Sequence, residues 1–190
     1  MLNPQASRRP ASWWRDESVA LLQANDWYGL YTTAMGWRID GGAYTPEAWL
    51  MDVCSALLHR QPKTAAHCCD MALPLWVQRP GDRSLLHFVR GLVVADHVGD
   101  PRRAVEDLER ATHGPEWLRS EAHEELQRVS VAAARSRVRK PRVQPAPAYD
   151  QDYSELITNP DSRPPVPDHL PADGGRPELW SLAMQYVRKH

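Results

Sequence analysis

The sequence predicts an all-α fold on three observations. Apolar residues recur at three- and four-residue spacing through successive windows. Proline, glycine and Asx residues stand between those windows, where helices start and stop. The alternation of β-branched and polar residues that a strand needs is missing before Pro141.

Ser12 is placed to cap a first helix, with Trp13, Val19, Ala20 and Leu22 at helical spacing, until Asn25 and Asp26. Asp26 begins a second, Trp27 to Ile39, which stops at Gly41 and Gly42. Pro46 takes the first helical position of a third running to His59, with Trp49, Leu50, Val53, Cys54, Leu57 and Leu58 on a broad apolar face. Pro62 opens a fourth, to about Val77. Pro80, Gly81 and Asp82 break the chain before a fifth from Leu85 to Val98, ended by Gly99. Asp100 and Pro101 cap and open a sixth to about Thr112, and after Gly114 and Pro115 a charged seventh runs from Trp117 towards Val138.

From Pro141 the composition changes. Pro141, Pro145 and Pro147, with five more prolines between residues 160 and 171, forbid a continuous helix, and the apolar residues are too dispersed for a core. The expected organisation is a helical domain at 12–140, a disordered Pro-rich linker at 141–176 and an amphipathic helix at 177–190. In that last helix Leu179, Leu182, Ala183, Tyr186 and Val187 share a face with Trp180 beside it, and Arg188 and Lys189 suit the negative end of the helix dipole. So short a helix is marginal in water and needs a surface. It is therefore predicted to dock in this protein's own groove, on a partner, or by exchange between two copies as a homodimer.

The totals set the class. At 190 residues the chain suits one domain plus an extension. Its 42% hydrophobic and 25% charged residues are globular values, while 17 prolines and a mean hydropathy of -0.58 mark a polar segment. A net charge of -1 creates no global attraction for nucleic acid or an anionic membrane. The N-terminus has no apolar signal region and no run approaches the roughly 18 residues of a membrane span, which predicts a soluble, cytoplasmic protein. Cys54, Cys68 and Cys69 form no disulfide framework and read as small buried side chains.

A repeat emerges when the chain is shifted by 39 residues: Trp49 falls on Phe88, Pro62 on Pro101, Ala65 on Ala104 and Ala72 on Ala111. A large residue followed sixteen and twenty-three positions later by alanines resembles the helical hairpin of the tetratricopeptide repeat, as does Gly99-Asp100 at the turn. The resemblance covers about residues 46–115, and departs from the family in its period, which is about 34 there. It implies stacked antiparallel hairpins with a concave surface lined by Leu50, Cys54, Leu57, Leu58, Leu86, Val89, Val93, Asp96 and His97. Such a lining is apolar and suits an amphipathic helix or peptide anchored at i, i+3, i+4 and i+7.

No chemistry-bearing pattern competes strongly. Cys54, His59, His67, Cys68 and Cys69 match no zinc spacing, so neither metal nor cofactor is expected. There is no nucleophile elbow and no Gly-rich phosphate loop. Glu106 with Asp107 and Glu124 with Glu125 read as solvated helix faces. The basic run Arg135, Arg137, Arg139, Lys140 and Arg142 lacks stacking aromatics and precedes an acidic stretch, so nucleic acid is not an expected partner. The sequence thus reads as a protein interaction or adaptor module with a protein or peptide partner. The second reading is a small helical enzyme or an accessory subunit of one, because catalytic groups converge in space without a sequence signature.

Overall fold

The computed structural model describes residues 9–42, 45–76, 80–136 and 176–189, and every regular element among them is helical. The helices are α1 (Ala11–Gln23), α2 (Trp27–Ile39), α3 (Pro46–Leu58), α4 (Pro62–Ala72), α5 (Pro80–Leu92), α6 (Pro101–Ala111), α7 (Glu116–Ser136) and α8 (Trp180–Lys189). A 3-10 turn, Leu73–Trp76, follows α4, and a π-helical turn, Val93–Val98, continues α5. The linker expected at 141–176 lies outside the described residues except for Arg176, as do the basic run beyond Arg135 and the end of the charged helix.

Local chemistry fixes the ends. The Asp26 carboxylate accepts from Gly29 N at 2.9 Å, and that of Asp100 from Arg103 N at 3.2 Å, so each satisfies an N–H left over by its helix. Pro46, Pro62 and Pro101 stand in first turns, where a missing N–H costs nothing. Gly99 takes a left-handed φ of 78° between the π turn and α6, a conformation that side chains resist.

Three expected boundaries moved. Helix α1 is flanked by Pro10, and Ser12 lies inside it without capping. Helix α4 stops at Ala72 rather than Val77 because Pro74 has no N–H to continue the ladder. Pro80 starts α5 instead of breaking the chain ahead of it, and the last turn widens into π geometry.

From α1 to α7 each helix packs on the next in sequence, while α8 packs on α3 and α5 and α1 also touches α3. Helix α3 is the hub, since every residue from Glu47 to Leu57 is buried. The main core joins α1 to α8, and a smaller cluster of Trp49, Ala72, Leu73 and Leu86 forms on another side. Gly91 is a close-approach site: a Cβ there would sit 2.8 Å from Leu108 Cγ, so only glycine lets α5 and α6 come this near.

Candidate functional site: the seat of the C-terminal helix

Helix α8 lies against α3 with an edge on α5. Its buried residues are Trp180, Ala183, Met184 and Val187, the i, i+3, i+4, i+7 set of one face, and Leu179 in the preceding turn is buried with them. Trp180 is 1% exposed, with the Phe88 ring at 5.7 Å and the Trp117 ring edge-on at 5.3 Å. Ala183 adds no bulk, so the α8 backbone comes close enough to α3 for the Cys54 thiol to donate to the Ala183 carbonyl at 3.8 Å.

This face is rotated from the one the sequence predicts. Leu182 and Tyr186 are only partly buried, while Met184 takes an inner position that the sequence reading did not give it. The phenol explains the rotation: its hydroxyl needs a partner and finds the Leu22 carbonyl at 2.7 Å, which keeps Tyr186 at the rim.

Polar contacts surround the apolar centre. His97 Nε2 lies 2.5 Å from the Val187 carbonyl, and since a carbonyl only accepts, Nε2 carries the proton. Arg188 reaches Glu121 and Glu125 on α7 at 3.6 and 3.5 Å, and Glu178 pairs with Arg15 at 3.2 Å. Each of these rim pairs keeps at least one half-exposed partner, Arg188 or Glu178, so they orient α8 more than they hold it.

Of the residues expected to line a groove, Leu50, Cys54, Leu57, Val89 and Val93 are buried in the main core together with α8. Leu58 is partly buried against the same core. Leu86 is buried elsewhere, in the cluster with Trp49. Asp96 is exposed, and both its oxygens accept from Arg128 of α7, at 2.9 and 2.8 Å. His97 reaches α8 as described. Beyond the C-terminal end of α8 a shallow cleft of about 690 Å³ is lined by Leu57, Leu58, Asp96 and His97, with Arg60 and Lys189 at its edge.

Two polar clusters went unread in the sequence. Asp107, expected on a solvated face, is 3% exposed. It accepts from His87 Nδ1 at 2.9 Å and from Arg90 Nε at 2.9 Å, and Arg90 also pairs with Asp70. Burial raises the Asp107 pKa, but the His87 and Arg90 hydrogen bonds outweigh it and hold the carboxyl below its usual range. The signal was its position: Asp107 shares the buried α6 stripe with Ala104, Leu108 and Ala111, whereas Glu106 points outward to Arg110.

The second is Asp52 on α3, 4% exposed, with Arg38 Nε 2.9 Å away. The pair is out of hydrogen-bonding alignment, and neither Asp52 oxygen has a hydrogen-bond partner among the described residues. Burial pushes the Asp52 carboxyl up to about 6, against the opposing pull of Arg38. Burial also pushes the Cys54 and Cys68 thiols up to about 12, and Cys69 well up, so none is a ready thiolate at neutral pH. No group of three metal-ligating side chains converges among the described residues, and none of the described helices is long and apolar enough to cross a membrane. Family models, curated proteins and solved structures give no match to this chain.

Proposed function

We propose that this protein is an interaction module whose apolar seat on α3 and α5 receives an amphipathic partner helix, and that α8 is its resident occupant. The observation that carries the reading is the way α8 is held. Its centre is the four-residue anchor set Trp180, Ala183, Met184 and Val187 of helix-in-groove recognition, its rim is charged, and its connection is the 39 residues from 137 to 175. A core helix is ordinarily joined to its neighbour by a few residues; a connection this long leaves α8 free to leave and return without disturbing another helix. The tetratricopeptide-like hairpin pair belongs to the same reading and rests on the burial of Trp49, Ala65, Ala72, Phe88, Ala104 and Ala111 at the repeat positions.

The test is a labelled peptide of residues 177–190 added to the full chain and to its Trp180→Ala variant. The peptide should bind the variant, whose own α8 has lost its main anchor, and bind the parent far more weakly because the seat is filled. A peptide that binds neither removes the reading.

A further inference from the structure

A second face of the molecule is built for contact. Helix α2 buries Leu30, Ala34 and Trp37 against its neighbours, yet its opposite side is also apolar. Trp27 is 38% exposed, Tyr28 61%, Tyr31 45%, Met35 38% and Ile39 80%. Residues 27, 31, 35 and 39 are spaced by four, so they form one ridge along the whole helix, with Tyr28 beside its start. A surface helix ordinarily turns charged residues to water, and one apolar on both sides is covered on both. The only charged residue of α2 is Arg38, and its guanidinium turns away to Asp52 and over the Trp49 ring, 4.4 Å from the centroid.

We propose that this ridge is the interface of a homodimer, with α2 of one copy crossing α2 of another antiparallel about a two-fold axis. The order of residue types favours a second copy as occupant. Aromatic side chains fill the N-terminal half of the ridge, and the slimmer Met35 and Ile39 fill the C-terminal half. An antiparallel two-fold sets Trp27 of one copy on Ile39 of the other and Tyr31 on Met35, so wide meets narrow and each sulfur meets a ring. The ridge itself carries no charge; in this register Asp26 of one copy comes level with Asp40 of the other beyond each end, but each carboxylate is engaged within its own chain, Asp26 by Gly29 N and Asp40 by Arg9 N and Trp14 Nε1. Five such side chains present at most about 600 Å² per copy, so the pair reaches the roughly 1,000 Å² of a specific interface when most of the ridge and Tyr28 are covered. This interface does not depend on α8 leaving its seat.

Sedimentation velocity on the full chain, from about 1 to 200 µM, should show a monomer–dimer equilibrium. Tyr31→Glu with Met35→Glu should weaken it at least about 100-fold, since in an isologous interface each substitution acts twice. Far-UV circular dichroism should be unchanged, because both side chains already face water. Should the double variant misfold, Ile39→Lys at the most exposed position replaces it and should weaken the dimer about tenfold or more. A parent that stays monomeric over that whole concentration range overturns the proposal. A dimer untouched by both substitutions but lost on Trp180→Ala overturns it too, because that is the signature of α8 exchange.

Discussion

Trp180→Ala separates a removable α8 from an integral one. The indole is 1% exposed and sits beside the Phe88 and Trp117 rings, so truncation removes a large apolar burial and two aromatic contacts. A cost of about 3 to 5 kcal/mol follows for a tryptophan cut to alanine in a packed site. If α8 opens as its own unit, that cost falls on α8 alone. Amide exchange from Ala183 to Lys189 should then accelerate about 10²- to 10⁴-fold, at 1.36 kcal/mol per tenfold. Amides of α3 and α6 should keep most of their protection. Exchange is the right readout because eight tryptophans blur any fluorescence signal. A uniform loss of protection across α1 to α8, with a matching fall in the denaturation midpoint, would refute the reasoning, since α8 would then be ordinary core.

Asp52 should make the protein less stable as pH rises. The folded state holds its proton up to about pH 6 while the unfolded chain releases it near 3.8, so stability falls by about 3 kcal/mol from about pH 4 to 6. Urea midpoints for Asp52→Asn should lose that slope. Asp107 has the opposite sign: its lowered pKa gives stability that is present above 3.8 and lost as pH falls through the folded value. Asp107→Ala, which removes the buried carboxylate shared by His87 and Arg90 and leaves Arg90 with Asp70 alone, should cost about 1 to 3 kcal/mol by denaturant titration at pH 7. Gly91→Ala against Leu108, and Ala104→Leu in the same helix pair, should each cost about 1 to 3 kcal/mol, with an Ala substitution at the outward Glu106 as the neutral control.

Much of the fold was legible because its punctuation is chemical. Asp26, Asp100, Pro46, Pro62 and Pro101 place helix starts by rules that act over three or four residues, and the structure keeps them. The misread places are those where a local rule has two outcomes. Pro80 serves equally as a breaker or as a first helical residue, and only the packing of α5 decides. The α8 face was misjudged because Leu182 and Tyr186 read as core ahead of Met184, whereas the close backbone approach at Ala183 and the hydroxyl of Tyr186 turn Met184 inward and leave Tyr186 at the rim. Asp107 and Asp52 were hidden because a charge reads as solvent-facing until its stripe is drawn: each lies on a line of buried neighbours. The α2 ridge was hidden because an apolar helix reads as core, and sequence alone does not say which side of it is covered.

For α8 as the exchangeable occupant proposed above, the length of its connection sets what a partner must offer. For a flexible connection of 39 residues the effective concentration is roughly 1 mM or less. A free helix with the same intrinsic affinity, present at about 1 µM, therefore loses by up to about a thousandfold, or about 4 kcal/mol. The four anchors alone cannot supply that margin, since α8 already has them. The surplus has to come from contacts α8 does not make, and the nearest are in the cleft past its C-terminal end, between Leu57, Leu58, Arg60 and His97. A successful competitor is thus a helix longer than α8 by about two turns, apolar towards Leu58 and acidic towards Arg60. The expected series is direct: the 177–190 peptide should displace α8 from the parent chain only near millimolar concentration, and an extension of its C-terminus by Leu, Leu and two Glu at helical spacing should lower that concentration at least tenfold. Arg60→Ala should cancel part of the gain of the extended peptide and leave the short one unaffected. An extended peptide no better than the short one would mean that the cleft takes no part in recognition.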